Sequence, residues 1–310
     1  QRQMCIRDSL IAYFSAQAID RITNGLRDAP RDAMIAEASP KGEKGSAFGL
    51  RQTLSAIGST VGAISACYLM CHLAGSTEHM VRGAYWFSII PIATAIVILA
   101  CMTQDSENVP QLSKRKGFPI KKSDLAQLGS RYWFFIFVVL IFMCARSTES
   151  FLILRAKTVG LEAKFHPIIL GVLYFFAAIF AKTTGSMSDK LNKKTFAILG
   201  FLLAIISYLI LAYAESIFVV FVSVAIYGIH YGISQTVIFA MVSEYAPKQI
   251  KATSFGILNL ICALGMFVAS LSQGKIWDIC GPHSVYLTAA SVSLISLILL
   301  FFIKSPKIEE

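Results

Sequence analysis

Residues 195–214 read TFAILGFLLAIISYLILAYA, twenty residues without a charge. About twenty apolar residues in a helix cross the ~30 Å hydrocarbon core of a bilayer. Further apolar runs lie near residues 48–73, 84–102, 132–156, 166–183, 216–243, 253–276 and 283–303. No soluble core in a chain of 310 residues could bury them all. Lipid offers backbone N–H and C=O groups no partner, so each run is expected to be a helix. The fold class that follows is an all-α polytopic membrane protein.

A formal net charge of +10 raises the question of a nucleic-acid partner, and the distribution of that charge answers it. If alternate connections face the cytoplasm, segments 38–47, 103–131, 182–194, 248–251 and 304–307 carry sixteen Lys and Arg against five on the other side. This positive-inside asymmetry implies a lipid bilayer, no nucleic acid, and a cytoplasmic C-terminus. The stretch SKRKGFPIKK (113–122) is either a solvated linker or a contact for anionic lipid. Cys67, Cys71, Cys101, Cys144 and Cys262 lie inside apolar runs without metal-ligand spacing, and no metal or other cofactor is implied. Residues 1–9, QRQMCIRDS, have no apolar region of their own and read as a non-native leader.

The chain repeats itself. Residues 33–49, AMIAEASPKGEKGSAFG, align without a gap on 240–256, AMVSEYAPKQIKATSFG, with eight of seventeen positions identical. The offset of 207 also pairs Gly25 with Gly232 and Gly58 with Gly265. Both copies describe one event: a helix ends, Pro40 or Pro247 marks the exit, two lysines follow, and Phe-Gly opens the next helix. By this match DRITNGLRDAPRDAMIAE belongs to a span of about 11–36. Nine spans result, of which the first three match the last three. The middle three have no counterpart ahead of them, so the repeat predicts a fragment lacking three N-terminal helices.

The parallel repeat and two short motifs carry a family resemblance. GSMSDKLNKK (185–194) resembles the loop signature of the major facilitator superfamily, with Gly185, Asp189, Lys190, Lys193 and Lys194 in place and Asn192 where Gly is usual. RITNG (21–25) is similar to the fourth-helix Arg-x-x-x-Gly signature. The run from Asp20 to Gln52, with ESFLILRA (149–156) and the stretch 252–281, looks like a bacterial subgroup of that family. The resemblance implies nine helices of a twelve-helix fold in two six-helix halves. The expected domains are 10–102 as helices 4–6 of the first half, 103–131 as a cytoplasmic inter-half loop, 132–304 as the second half and 305–310 as a cytoplasmic tail. It also implies a multi-pass protein of the bacterial inner membrane, monomeric when full length.

The span near 11–36 carries charge where charge is expensive. An Arg or Asp at the bilayer centre costs roughly 2.5–3.5 kcal/mol. At 100° per residue Asp20, Arg21, Asn24, Arg27, Asp28, Arg31 and Asp32 share an arc of about 140°, opposite Ile22, Leu26, Ala29 and Ala33. The set is nearly self-neutral, and Pro30 can free a carbonyl beside a wet cavity. One reading is an ion-pair ladder that tethers helices. The other is the face of a transport cavity, where the resemblance puts this helix. The repeat favours the second: Ser234, Gln235, Val237, Ile238 and Phe239 stand at the counterparts of Arg27, Asp28, Pro30, Arg31 and Asp32.

Three other places carry chemistry. Arg146 and Glu149 sit one turn apart in ARSTES, either lining the cavity or forming a local salt bridge. His230 and Gln235 in GIHYGISQ offer hydrogen bonds or a proton path, although a lone helical His is more often a packing residue. Residues 185–194 are either a basic turn or a conformational latch, with Asp189 accepting from a helix N-terminus and lysines anchored at the inner lipid surface. GSTVGAISA (58–66) has the small-residue spacing of close helix packing. It stands where the resemblance puts an antiporter signature, but Ala63 replaces its Pro and Ser55 the carboxylate before it. Both changes point away from antiport.

The function expected is secondary active transport of a small solute, coupled to protons through Asp32 and Glu149, by alternating access. A receptor or scaffold on the same fold is the alternative. A membrane enzyme would need a nucleophile with a base or a metal cluster, and His72, His79, His166, His230 and His283 are scattered. No phosphate-binding loop of the Gly-x-x-x-x-Gly-Lys-Ser/Thr type is present, so ATP is not the direct energy source.

Overall fold

The computed structural model describes residues 23, 27–40, 42–72, 77–102, 125, 127–247 and 250–303. Among them no strand occurs. The helices are α1 (27–38), α2 (Lys44–His72), α3 (Thr77–Met102), α4 (Ser130–Ala145), α5 (Glu149–Thr158), α6 (His166–Lys190), α7 (Lys193–Ala212), α8 (Ile217–Tyr245) and α9 (Lys251–Phe301). Among the described residues, six stretches are long and apolar enough to cross a membrane: α2, the tandem α4–α5, α6, α7, α8 and α9. Most of the span expected near 11–36 lies outside the described residues; its last ten residues, with 37 and 38, form α1.

Local sequence sets the breaks. With 51 residues, α9 would be about 77 Å long, more than twice the hydrocarbon thickness. It is divided at Gly281, whose φ of 78° interrupts the helix just before Pro282; only glycine adopts that angle at little cost. The parts 251–280 and 282–301 match the two runs expected there. Asn192 caps α7 by accepting from Lys194 N at 2.9 Å. Residues 185–190, expected as loop, are the last turns of α6, because Leu191 N still donates to Met187 O at 2.9 Å. The connection shrinks to Leu191 and Asn192.

Large apolar side chains face outward as well as inward. Trp86, Ile96, Phe218, Leu271 and Ile298 are exposed, while Phe135, Phe142, Phe201 and Phe255 are buried. Such an exterior suits acyl chains, not water. The densest contacts are of α2 with α6, α6 with α8, α4 and α7 with α9, and α7 with α8. Thus α2, from the first repeat copy, packs directly on the second half.

Candidate functional site: a charged helix, a closed end and a broken span

The last turns of α1 place Asp32 inside the protein, where its side chain is fully buried. Its Oδ1 meets Arg31 Nη2 at 3.1 Å and Arg51 Nη1 at 3.6 Å. Arg31 also reaches Asp28 at 2.9 Å, and Arg27 lies 3.4 Å from Asp28 near the surface. Four of the charges therefore form a ladder along α1, extended by Arg51 from α2. The ladder is incomplete: Asp32 Oδ2 and Arg51 Nε are buried without a hydrogen-bond partner. Arg51 also stands over the Phe239 ring, 4.9 Å from its centroid, so it touches Asp32 and the residue that replaces Asp32 in the other copy.

At the lysine-rich end the two copies close on each other. Lys44 Nζ donates to Ser243 O at 3.1 Å, and Lys251 Nζ donates to Ala36 O at 3.0 Å. Lys44 and Lys251 are repeat counterparts, as are Ala36 and Ser243, so one contact is made twice in opposite directions. Just inside, the counterparts Phe48 and Phe255 meet at 5.7 Å between ring centroids, and Phe239 closes the trio at 5.8 and 6.0 Å. Asp189 caps α2: its oxygens accept from Gly45 N and Ser46 N, each at 2.7 Å. Backbone touches backbone there, since a Cβ on Gly49 would lie 2.7 Å from Ala181 O and 3.0 Å from Gly185 Cα.

The expected motif residues divide accordingly. Gly185 and Asp189 meet α2. Lys193 is turned inward, 2.7 Å from Glu244 and 3.6 Å from Asp189, and Lys194 donates to Phe301 O at 2.8 Å. Buried or bonded carbonyls and carboxylates outcompete lipid for these two cations, so only the exposed Lys190 keeps the expected outward position.

Within the tandem span, α4 and α5 are separated by non-helical residues 146–148. Free backbone groups inside a membrane protein need partners, and side chains supply them. Ser147 N donates to the Tyr208 hydroxyl at 3.0 Å, Tyr227 OH donates to Ser147 O at 2.8 Å, and Gln273 Nε2 donates to Ala145 O at 3.2 Å. Arg146 and Glu149 straddle the break without forming a salt bridge. Arg146 lies over the Tyr231 ring at 4.7 Å, Tyr231 meets Tyr174 edge-on at 5.9 Å, and Tyr174 OH donates to Glu149 at 3.2 Å.

Tyr174 also lines a cavity of about 610 Å³ at the far ends of α2 and α6, with Gly62, Met70, Ile153 and Leu170. Gly62 and Gly58 have open space at their Cβ positions, so the close packing expected of this stripe occurs instead at Gly45 and Gly49 of the same helix.

His230 is turned into the second half, with Nδ1 at 2.9 Å from Gly200 O and 3.0 Å from Ser234 Oγ. Gln235 is half-buried on the same helix, and Arg21 lies outside the described residues. Sequence reasoning misses Arg51, although a single cation in an apolar helix is a signal in its own right. Phe48 and Phe255 stand out in the sequence as repeat landmarks, but their contact does not. Tyr208 and Tyr227 have no signal, because nothing marks 146–148 as a break.

Crossing helices, a duplicated unit and a closed end opposite a cavity define the class of multi-pass membrane transporters. Residues 5–270 and 167–310 match the family model described as Major Facilitator Superfamily, and the chain belongs to that family. Its members are transporters, not enzymes. An uncharacterized MFS-type transporter of Methanocaldococcus jannaschii is 28% identical over 292 residues, covering 92% of this chain and 70% of that protein. The lysosomal dipeptide transporter MFSD1 of Homo sapiens is 24% identical over 272 residues, and the chain spans 58% of its length. Among solved structures, the transporter FucP in the outward conformation matches with a TM-score of 0.66 at 16% identity, over 90% of this chain and 72% of that one. The human organic anion transporter MFSD10 matches at 0.65 and 15% identity, over 88% and 67%. These structural likenesses concern the fold alone.

Proposed function

We propose that the protein is a proton-coupled secondary transporter of a small solute, working by alternating access and held here with its cytoplasmic side closed. The carrying observation is the doubled contact between Lys44 and Ser243 O and between Lys251 and Ala36 O, opposite a cavity between the far ends of α2 and α6. Contacts that are exchanged between repeat copies close one side as the halves rock together and open when they part. The positive-inside bias supports reading that side as cytoplasmic, and the resemblance to a bacterial subgroup favours a bacterial inner membrane. Nine spans in this chain, three in the first half and six in the second, fit the repeat. Proton coupling is carried by Asp32, whose Oδ1 is held by two arginines while Oδ2 is unpartnered and can take a proton. Buried and half-buried arginines beside α1 and at the break in the tandem span favour an anionic or zwitterionic solute, as the dipeptides of the human relative's name would be.

The test is reconstitution in proteoliposomes under an imposed proton gradient, with a panel of amino acids, dipeptides, organic anions and sugars. At least one solute should accumulate, and a protonophore should collapse the accumulation; no accumulation of any kind rejects transport. Asp32→Asn should abolish gradient-driven accumulation while preserving solute exchange, because the amide mimics the protonated state. Normal accumulation per folded Asp32→Asn molecule rejects the coupling role.

A further inference from the structure

The cavity at the far ends of α2 and α6 has a wall of one kind. Among its described lining residues there is no Asp, Glu, Lys or Arg, and the polar side chains are Ser59, His166 and Tyr174. All three are turned to protein partners: Ser59 Oγ donates to Ser55 O at 3.1 Å, His166 Nε2 lies 3.3 Å from Leu161 O, and Tyr174 OH donates to Glu149 at 3.2 Å. What remains is apolar surface from Gly62, Ala66 and Met70 of α2, Ile153 of α5 and Leu170 of α6. Ligand sites are mostly apolar, with a few polar groups aimed inward to fix orientation. Here those groups are engaged elsewhere, so a sugar hydroxyl or a peptide amide that entered would give up water without replacement. An apolar group meets no such penalty and gains by leaving water.

The wall faces the interior and not the acyl chains. At 100° per residue, the lining residues of α2 centre on a direction about 180° from its exposed apolar row, Leu54, Ile57, Val61, Ile64 and Tyr68. Gly58 and Gly62 stand instead within about 20° of Arg51, and both have open space at their Cβ positions. The exposed Ser55 is on the same side. Bare helix surface therefore runs from the cavity toward Arg51 and Asp32, while the row suited to lipid lies on the opposite face. At about 610 Å³ the cavity is large enough for a drug-sized ligand.

We propose that this cavity is an apolar subsite that receives the aliphatic or aromatic body of the transported solute, so that the substrate class is amphipathic or lipophilic organic molecules and not sugars or other polyols. The proposal rests on the transporter reading and deepens it: the arginines bear on the charge a solute carries, and this wall on its bulk. Among dipeptides it favours those with large apolar side chains. Gly62 keeps the site open, since a side chain there would occupy the free space at its Cβ.

The probe is an octanol bearing a diazirine, photoactivated with the purified full chain in lipid nanodiscs, its adducts mapped by mass spectrometry. Adducts should form on Ile153 and Leu170 and disappear with excess octanol, while those on the exposed Phe267 and Leu271 persist. From butanol to octanol, the concentration that halves wall labelling should fall about fourfold per methylene. The terminal octanediol should need roughly tenfold more than octanol, because its second hydroxyl meets no free partner. Gly62→Leu should abolish wall labelling and most solute accumulation; if that variant fails to fold, the displacement series in the parent protein still decides. Wall labelling that no alkanol displaces means that bilayer lipid fills the cavity, and this, or displacement indifferent to chain length, overturns the subsite. Unchanged accumulation by Gly62→Leu protein that has lost wall labelling takes the cavity off the solute path, which overturns the proposal and leaves the transporter standing. Displaceable wall labelling in a protein that accumulates no solute would keep the apolar site and reject the transport reading on which its role rests.

Discussion

Residues 27–51 and 234–258 are two copies of one unit, and they have been put to different uses. Both run from a helix through a proline exit into a second helix, and both extend a lysine to the other copy's last carbonyls. The first copy then holds Arg31, Asp32 and Arg51, where the second holds Ile238, Phe239 and Leu258. All three residues of the second are in the core. The shared Lys44 and Lys251, and the shared Phe48 and Phe255, meet at the closed end, while the differing positions put buried charge in one copy and apolar side chains in the other. The two meet where Arg51 stands over Phe239, so the charged half is braced against the apolar one.

The comparison breaks most severely if the first copy is made like the second at its central cation. Arg51→Leu installs the counterpart's residue and leaves buried Asp32 with Arg31 alone. Removing one partner of a buried pair costs about 3–5 kcal/mol; the remaining arginine should hold the loss to about 3 kcal/mol, measured by denaturant unfolding in detergent. Adding Asp32→Asn should restore most of it, since the stranded charge is then gone. If the double variant is no more stable than Arg51→Leu, the loss comes from the contact with Phe239 and not from the carboxylate.

Next comes the shared glycine, Gly49 in one copy and Gly256 in the other. A methyl at Gly49 would press on Ala181 O and the Gly185 backbone, neither of which can rotate away, whereas Gly256 has only Ala29 Cβ at 4.0 Å. Overpacking of this kind costs about 1–3 kcal/mol. Gly49→Ala should fall in that range, and Gly256→Ala within about 0.5 kcal/mol of the parent, as for substitutions with no such contact. Comparable losses at both sites would mean that glycine serves the helix start itself and not the packing of α2 on α6.

Much of this is legible in the amino-acid sequence. Apolar runs locate α2, α3, the tandem α4–α5, α6, α7, α8 and the two parts of α9 with end errors of up to seven residues, because lipid leaves the backbone no alternative to a helix. Period and repeat single out Asp32 and Arg31, and motif spacing singles out Asp189. Contacts between distant elements are not legible. Nothing local to Arg51 says that Asp32 lies beside it, and Arg146–Ser147–Thr148 carry no glycine or proline to announce a break. That break depends on Tyr208, Tyr227 and Gln273, each more than 50 residues away. Spacing alone puts the close-packed stripe at Gly58 and Gly62, but contact needs a partner helix equally bare, and Gly185 provides one only opposite Gly45 and Gly49.

The smallest expected effect tests the symmetry itself. Lys44 is half-buried and Lys251 buried, and their bonds to Ser243 O and Ala36 O are alike in length. Hydrogen bonds to charged groups contribute about 1.5–3 kcal/mol, less where water competes. Lys251→Gln should therefore shift the balance toward the open form by about 1.4 kcal/mol, a factor of ten, and Lys44→Gln by about half that energy, roughly threefold. The readout is maleimide labelling from the lysine-rich end of Gln52→Cys, a buried position two turns into α2, in a background without the native cysteines. If the halves part as rigid bodies, the two changes act on one opening, and the double variant should label at about the product of the two single effects. Labelling that rises only with Lys44→Gln would mean that Asp189 and α2 hold the end shut alone. The matching contact at Lys251 would then be inherited geometry without a share in closure.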